Sequence, residues 1–339
     1  MTLPAESRTQ LTPDLNICRV LNGMWQVSGA HGAIDPSAAI ASMLDHQRAG
    51  FTTWDLADHY GPAEDFIGRF RRELSSTQGS ESLASILAFT KWVPRPSPMT
   101  RQLVEQNVDL SLRRMDVPIL DLLQFHWWDY GDDRYLDALE HLSELRDQGK
   151  IRHLALTNFD TEHLKLIVEG GIKIVSNQVQ FSLIDRRPEV KMLQFCREHD
   201  IQLLAYGTVC GGLLTSRYLG QPEPGRRELT TASLGKYKQM IDAWGGWALF
   251  QKLLAVLQDI ATAKQVSIAN VAVRYVLDRP AVAGAILGVR LGASDHMAGN
   301  ARVFDFTLDA ADYDLLEPVL GQSTDLYQVI GDCGDEYRR

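Results

Sequence analysis

Short apolar runs alternate with longer stretches in which apolar side chains recur every three or four positions, and the alternation continues almost to the end of the chain. The short runs have strand length and the longer stretches read as amphipathic helices, so the pattern predicts successive βα units around a parallel sheet. Strands are predicted at 20–26, 51–56, 86–91, 119–125, 152–157, 174–179, 201–206 and 282–287. Helices are predicted at 36–49, 62–76, 100–114, 134–148, 161–169, 187–199 and 294–301. Asp35 before Pro36 marks one helix start, and Gly50, Gly149 and Gly170-Gly171 mark helix ends. The stretch 74–85 reads as a surface loop. Between the seventh and eighth strands, residues 207–281 form a long insertion with Gly211-Gly212, a turn at 221–225 and two helical patterns, the second from Ser267 to Leu277.

Eight such units predict an α/β fold: a single (β/α)8 TIM barrel over 1–339, with its core at about 19–308 and a tail at 309–339. Length alone would suggest two domains, but α/β barrels routinely exceed ~200 residues as one. No internal repeat or linker divides the chain.

Composition narrows the function classes. Apolar residues make up 45% and charged residues 23%, as in ordinary globular proteins. The formal charge, 34 basic against 43 acidic residues, is -9, which opposes nucleic acid and anionic membranes. The opening Met-Thr-Leu-Pro-Ala-Glu-Ser-Arg holds no apolar signal core, and no run approaches the ~18 apolar residues of a membrane span, so a cytoplasmic location is expected. Cysteines 18, 196, 210 and 333 are scattered, which fits reduced thiols better than a disulfide framework or zinc site. No metal is expected, because His-x-His at the first strand and H-E-x-x-H are both absent; a metal-dependent barrel hydrolase would need one.

The candidate chemistry lies at strand ends. Asp55, Tyr60, Lys91 and His126 close or follow the second, third and fourth predicted strands, and residues at the carboxyl ends of parallel strands face the mouth of a barrel. A phenol with a pKa near ~10 is a poor acid at neutral pH, and a neighbouring ammonium would pull that value down. Lys91 is expected to supply the ammonium, Asp55 its counter-ion, and His126 a neutral ring donating a hydrogen bond to a substrate carbonyl.

These residues resemble the aldo-keto reductase family. Asp55-Leu-Ala-Asp-His-Tyr60-Gly61, continued by Glu64 and Gly68, is similar to its second-strand motif. Thr90-Lys91-Trp92 and Leu122-Leu-Gln-Phe-His126-Trp127 resemble its third- and fourth-strand segments. The resemblance covers about residues 19–308. It implies a catalytic tetrad of Asp55, Tyr60, Lys91 and His126 with Tyr60 as proton donor, and a bound nicotinamide cofactor that Asp55 also adjoins. Thr157-Asn158-Phe159 and Asn177-Gln178 resemble segments that hold the carboxamide, through Asn158 and Gln178. Tyr206 resembles the aromatic beneath the nicotinamide ring. Gly207, Val209 and Gly211 stand where the pyrophosphate is met, through backbone because Ser-Pro-Leu is replaced by Gly207-Thr208-Val209. Gly288, Arg290, His296 and Asn300 resemble the segment at the adenosine phosphate. Arg290 and His296 favour NADPH, since a guanidinium grips phosphate bidentately, while Leu291 and Gly299 replace polar residues usual there, so NAD is allowed as well.

The expected activity is NADPH-dependent reduction of an aldehyde or ketone to an alcohol, with an NADP(H)-binding regulatory subunit of little turnover as the alternative. The expected partner is a small carbonyl or alcohol. Trp25, Trp92, Trp127 and Trp128 are candidates for an apolar substrate pocket, Trp25 and Trp127 foremost. Trp244, Trp247, Tyr327 and Tyr337 are candidates for closing over it.

Overall fold

The computed structural model describes residues 3–29, 32 and 34–338, so Met1, Thr2 and Arg339 at the ends of the expected barrel span lie outside the described residues. A hairpin of β1 (Arg8–Thr12) and β2 (Leu15–Cys18) precedes eight parallel strands: β3 (Val20–Gly23), β4 (Thr53–Asp55), β5 (Leu87–Trp92), β6 (Leu120–Phe125), β7 (Ile151–Thr157), β8 (Ser176–Gln180), β9 (Gln202–Tyr206) and β10 (Val282–Gly288). These eight close into a barrel in the order β10-β3-β4-β5-β6-β7-β8-β9. The predicted (β/α)8 fold is therefore the observed one.

Helices cover the barrel wall: α1 (Pro36–Arg48), α2 (Ala63–Gln78), α3 (Arg101–Met115), α4 (Tyr135–Asp147), α5 (Thr161–Glu169) and α6 (Met192–Glu198). The start of α1 has the expected cause, and two further starts share it. Asp35 accepts from the Ala38 amide with Pro36 at the first helical position, and Thr100 and Asp160 cap α3 and α5 in the same way. The insertion folds into three helices rather than two, α7 (Ala232–Trp244), α8 (Gly246–Lys264) and α9 (Ile268–Leu277), because Gly245 at φ 157 breaks one long apolar stretch. After α10 (Met297–Ala301), the tail forms α11 (Ala310–Leu320) and α12 (Leu326–Ile330).

Four expectations need correction. The stretch 74–85 is not a loop: α2 runs to Gln78 and a 3-10 turn spans Ser80–Ser85. The strand expected at 20–26 stops at Gly23, since a 3-10 turn takes over at Trp25–Ser28. The helix expected at 187–199 is reduced to a turn at Arg187–Glu189 and α6, and that at 294–301 to α10.

The hairpin was not expected at all. Its turn is Pro13-Asp14, and Leu11, Leu15 and Ile17 pack against Leu21, Leu87, Phe89 and Leu122, which point into the barrel. The hairpin thus plugs the amino-terminal end of the barrel with apolar side chains, each contributing on the order of 1.5–3 kcal/mol on full burial. What remains open is the carboxyl-terminal mouth.

Candidate active site

One buried carboxylate organises the mouth. Asp55 is the last residue of β4, and its Oδ2 accepts from Lys91 Nζ at 2.7 Å. Its Oδ1 accepts from Gln124 Nε2 at 2.9 Å and Gln178 Nε2 at 2.7 Å, and Gln178 also donates to Gln124 Oε1 at 2.7 Å. The Lys91 and Asp55 side chains are only 3% and 4% exposed. A buried charge pair persists where further hydrogen bonds satisfy its remaining atoms, and the two glutamines do this for Asp55. Gln124 escaped sequence reasoning. Its signal was alternation: Leu122, Gln124 and His126 fall on one side of the strand, so a polar residue between an inward leucine and a site histidine faces inward too.

The rest of the Asp55–Gly68 motif is structural. Glu64 accepts from Thr90 Oγ1 at 2.7 Å and from Arg114 at 3.3 Å, which ties α2 to β5 and α3. A Cβ on Gly68 would stand 2.3 Å from the Arg114 carbonyl oxygen, so only glycine lets α2 approach α3 this closely.

Tyr60 stands above this network, half-buried, with Lys91 Nζ 5.2 Å from its ring centre. Lys91 gives its hydrogen bonds to Asp55 and the Leu56 carbonyl and not to the phenol. Burial raises the Tyr60 pKa well above its ordinary value, and the Asp55 carboxylate adds to the rise. Burial in turn lowers the Lys91 pKa, with Asp55 opposing the fall.

His126 keeps the expected neutral ring but takes a different hydrogen-bond role. Its Nδ1 lies 3.0 Å from the Thr157 carbonyl oxygen, which can only accept, so Nδ1 carries the proton. Burial lowers its pKa to about 4, so the ring is neutral and Nε2 bears a lone pair without a partner. His126 therefore presents an acceptor, not the expected donor.

These side chains line a cavity of about 360 Å³. Asp55, Tyr60, Lys91 and His126 all reach it, as do Thr157, Asn158, Gln178, Tyr206, Gly207, Val209, Gly211 and Gly288. Asn158 sits at φ 59, and its Oδ1 accepts from Tyr206 Oη at 2.8 Å. That leaves the Asn158 amide nitrogen as a donor and, with both Gln178 amide protons engaged, Gln178 Oε1 as an acceptor. A carboxamide, which has one acceptor and two donor hydrogens, matches this pair. A Cβ on Gly207, at φ 75, would meet Tyr237 Oη at 2.5 Å, which fixes glycine there. Arg290, His296 and Asn300 do not line the cavity; they follow β10, where Arg290 and His296 are exposed.

Of the four tryptophans, Trp25 and Trp128 line the cavity. Trp92 and Trp127 do not, which corrects both assignments. Trp127 is fully buried, its ring stacked on Phe125 at 6.1 Å and its N–H donated to the Asp129 and Asp132 carbonyls. Trp92 packs against the same Phe125 at 5.5 Å. Trp244, Trp247 and Tyr327 lie away from the site, whereas Tyr337 reaches it and, because Tyr206 gives its own proton to Asn158, donates to Tyr206 Oη at 3.1 Å.

Tyr337 is carried by a docked tail. Arg187 grips Asp185 through two bonds of 2.8 and 2.7 Å and reaches Glu336 at 2.9 Å and the Asp332 carbonyl at 2.9 Å. Arg338 donates to the Trp127 carbonyl at 3.0 Å. Gln26, His59, Ser233 and Lys236 are further lining residues that sequence reasoning missed.

The chain is 28% identical over 257 residues to flagellar radial spoke protein 5 of Chlamydomonas reinhardtii, covering 66% of this chain but only about half, 49%, of that protein. It is 26% identical to the NADH-specific methylglyoxal reductase of Escherichia coli, covering 63% of this chain and 70% of that one. The fold is similar to that of a glycerol dehydrogenase from Gluconobacter oxydans, with a TM-score of 0.76, 23% identity, and coverage of 95% of this chain and 97% of that chain. The model of the aldo/keto reductase family matches residues 19–320, and the chain belongs to that family of oxidoreductases, which reduce carbonyl compounds with NAD(P)H.

Proposed function

We propose that this chain reduces an aldehyde or ketone to an alcohol with NADPH, using Tyr60 as the proton donor. The observation that carries this reading is the buried Lys91–Asp55 pair beneath Tyr60, at the floor of a cavity whose Asn158 and Gln178 offer complementary carboxamide partners. When bound, the reduced nicotinamide supplies the hydride. Asn158 and Gln178 would hold its carboxamide, Tyr206 its ring, and the backbone from Gly207 to Gly211 its pyrophosphate. Arg290 would favour a 2′-phosphate, since a guanidinium grips phosphate bidentately.

The chain's own part is electrostatic. As the carbonyl carbon gains a hydride its oxygen becomes an alkoxide, a stronger base than phenolate, so Tyr60 need not be an unusually strong acid to protonate it. Lys91 stabilises the tyrosinate that remains until solvent returns the proton. His126, an acceptor at Nε2, receives the hydroxyl once it has formed, or a hydroxyl already beside the carbonyl.

Replacing Tyr60 by Phe removes the proton and leaves the cofactor partners in place. The expected result is loss of NADPH oxidation across a panel of aldehydes, ketones and sugars, with NADPH binding retained; undiminished turnover overturns the assignment. NADH run in parallel reads the cofactor preference.

The second reading, a cofactor-binding regulatory subunit, is favoured by the similarity to a radial spoke protein and by the engagement of Tyr206 by Tyr337. Fast steady-state oxidation of NADPH with any carbonyl rejects it.

A further inference from the structure

Two lysines line the cavity, and they differ in one respect. Lys91 carries its counter-ion, Asp55, at 2.7 Å. Lys236, half-buried on α7, has the Tyr337 hydroxyl as its hydrogen-bond partner, and among the described residues no carboxylate oxygen lies within 4.0 Å of its Nζ. Two positions on, Lys238 is held by Glu223, from the loop before α7, and Asp242, so carboxylates are not scarce around this helix. Lys236 is surrounded by aromatic faces instead: Nζ lies 5.0 Å from the centre of the Tyr206 ring, 5.5 Å from that of Tyr237 and 4.7 Å from that of Tyr337. Glu336 feels the Lys236 charge and keeps Oε1 without a hydrogen-bond partner, but its Oε2 is bonded to Arg187 and neither oxygen reaches Lys236 Nζ. Aromatic faces offset part of the cost of desolvating an ammonium and cannot replace an anion.

The surroundings point the same way. Thr208 is fully buried, lines the same cavity, and its Oγ1 has no hydrogen-bond partner. The first turn of α7, capped by Thr231 on the Leu234 amide, contributes Ser233 to the lining, and the positive end of a helix favours negative charge. The Tyr337 ring, 4.7 Å from Lys236 Nζ, is also 6.2 Å from the His126 ring, so one tyrosine adjoins both this lysine and the reacting centre.

We propose that Lys236, with Tyr337 beside it, forms an oxyanion subsite that takes a carboxylate or phosphate group of the molecule bound in the cavity. The nearness of His126 assigns that group to the carbonyl substrate, so the preferred substrates are aldehydes or ketones bearing an anionic group. This rests on the reductase reading above.

The test compares the wild type with Lys236→Met, which keeps the stem and loses the charge, and Lys236→Arg, which keeps the charge. Succinic semialdehyde and butanal have the same carbon count and differ by a carboxylate. The wild type is expected to show a KM for succinic semialdehyde lower by on the order of tenfold, the effect of one charge-assisted hydrogen bond. Lys236→Met should erase that gap and Lys236→Arg restore most of it. The dissociation constant for NADPH, read by its fluorescence, separates the two sources: a tenfold rise in Lys236→Met with the aldehyde gap intact assigns the subsite to a dinucleotide phosphate. Melting midpoints with succinate and with inorganic pyrophosphate need no turnover, and a rise seen in the wild type and lost in Lys236→Met supports the subsite even if no reduction is found. A wild type that neither binds NADPH nor reduces either aldehyde overturns the reductase reading alone. Lys236→Met matching the wild type in the aldehyde gap, the NADPH constant and both melting shifts overturns the subsite.

Discussion

Lys91 Nζ lies 5.2 Å from the centre of the Tyr60 ring, yet its hydrogen bonds run to Asp55 Oδ2 and the Leu56 carbonyl and not to the phenol. The lysine therefore acts on the tyrosine through space, and only to the extent that Asp55 leaves its charge uncompensated. Lys91→Met should lower kcat steeply and also destabilise the fold by about 3–5 kcal/mol, because it strands a buried carboxylate. Urea unfolding reads the second effect. In the Lys91→Met, Asp55→Asn double variant stability should largely return while kcat stays low, and a double variant as unstable as the single one contradicts the account.

His126 gives a pH dependence with a definite sign. Its pKa is lowered to about 4 in the folded chain, against an ordinary ~6.5, so the unfolded chain binds the extra proton first. Its contribution to stability is fully present above pH ~6.5 and is lost as pH falls toward 4, by ~3 kcal/mol in all. Unfolding measured between pH 7 and 4.5 should show this slope, and His126→Asn should flatten it.

Gln124 joins Asp55 to Gln178, so its removal is felt at both ends. Gln124→Leu should cost ~1–3 kcal/mol through the unpaired amide and carboxylate groups it leaves. It should also weaken NADPH binding, because Gln178 loses the acceptor that fixes its amide. Calorimetric titration with NADPH checks this; unaltered affinity would mean that Gln178 is held by Asp55 alone.

The tail is seated with little clearance. Gly334 has φ 89, and a Cβ there would stand 2.1 Å from the Asn158 carbonyl oxygen. Gly334→Ala should lift the segment from Asn158 and remove Tyr337 from the cavity. Hydrogen exchange over residues 332–338 should accelerate in this variant, and protection equal to the wild type would show that the tail accommodates the methyl group.

Much of this was legible in the sequence because barrel strands and their flanking helices carry strong local periodicity. Asp55, Lys91 and His126 could be placed by their positions after apolar runs. The β1–β2 hairpin was not legible, since Leu11, Leu15 and Ile17 are too few to declare a pattern until the barrel interior that receives them is known. Trp127 and Trp128 are neighbours with opposite fates, one buried on Phe125 and the other 4.3 Å from His126; which one faces inward depends on how the chain turns after β6. The state of Tyr60 and the tautomer of His126 were out of reach for a different reason. Both follow from burial and from a backbone carbonyl contributed by Thr157, which no side-chain motif records.

The hairpin plug has a kinetic consequence. With the barrel stoppered at one end, traffic into the cavity passes a single doorway, so of two molecules that must meet inside, the deeper one has to arrive first and depart last. Sequential, compulsory-order kinetics would then be a property of the vessel's shape, set by three apolar side chains at the end farthest from the chemistry.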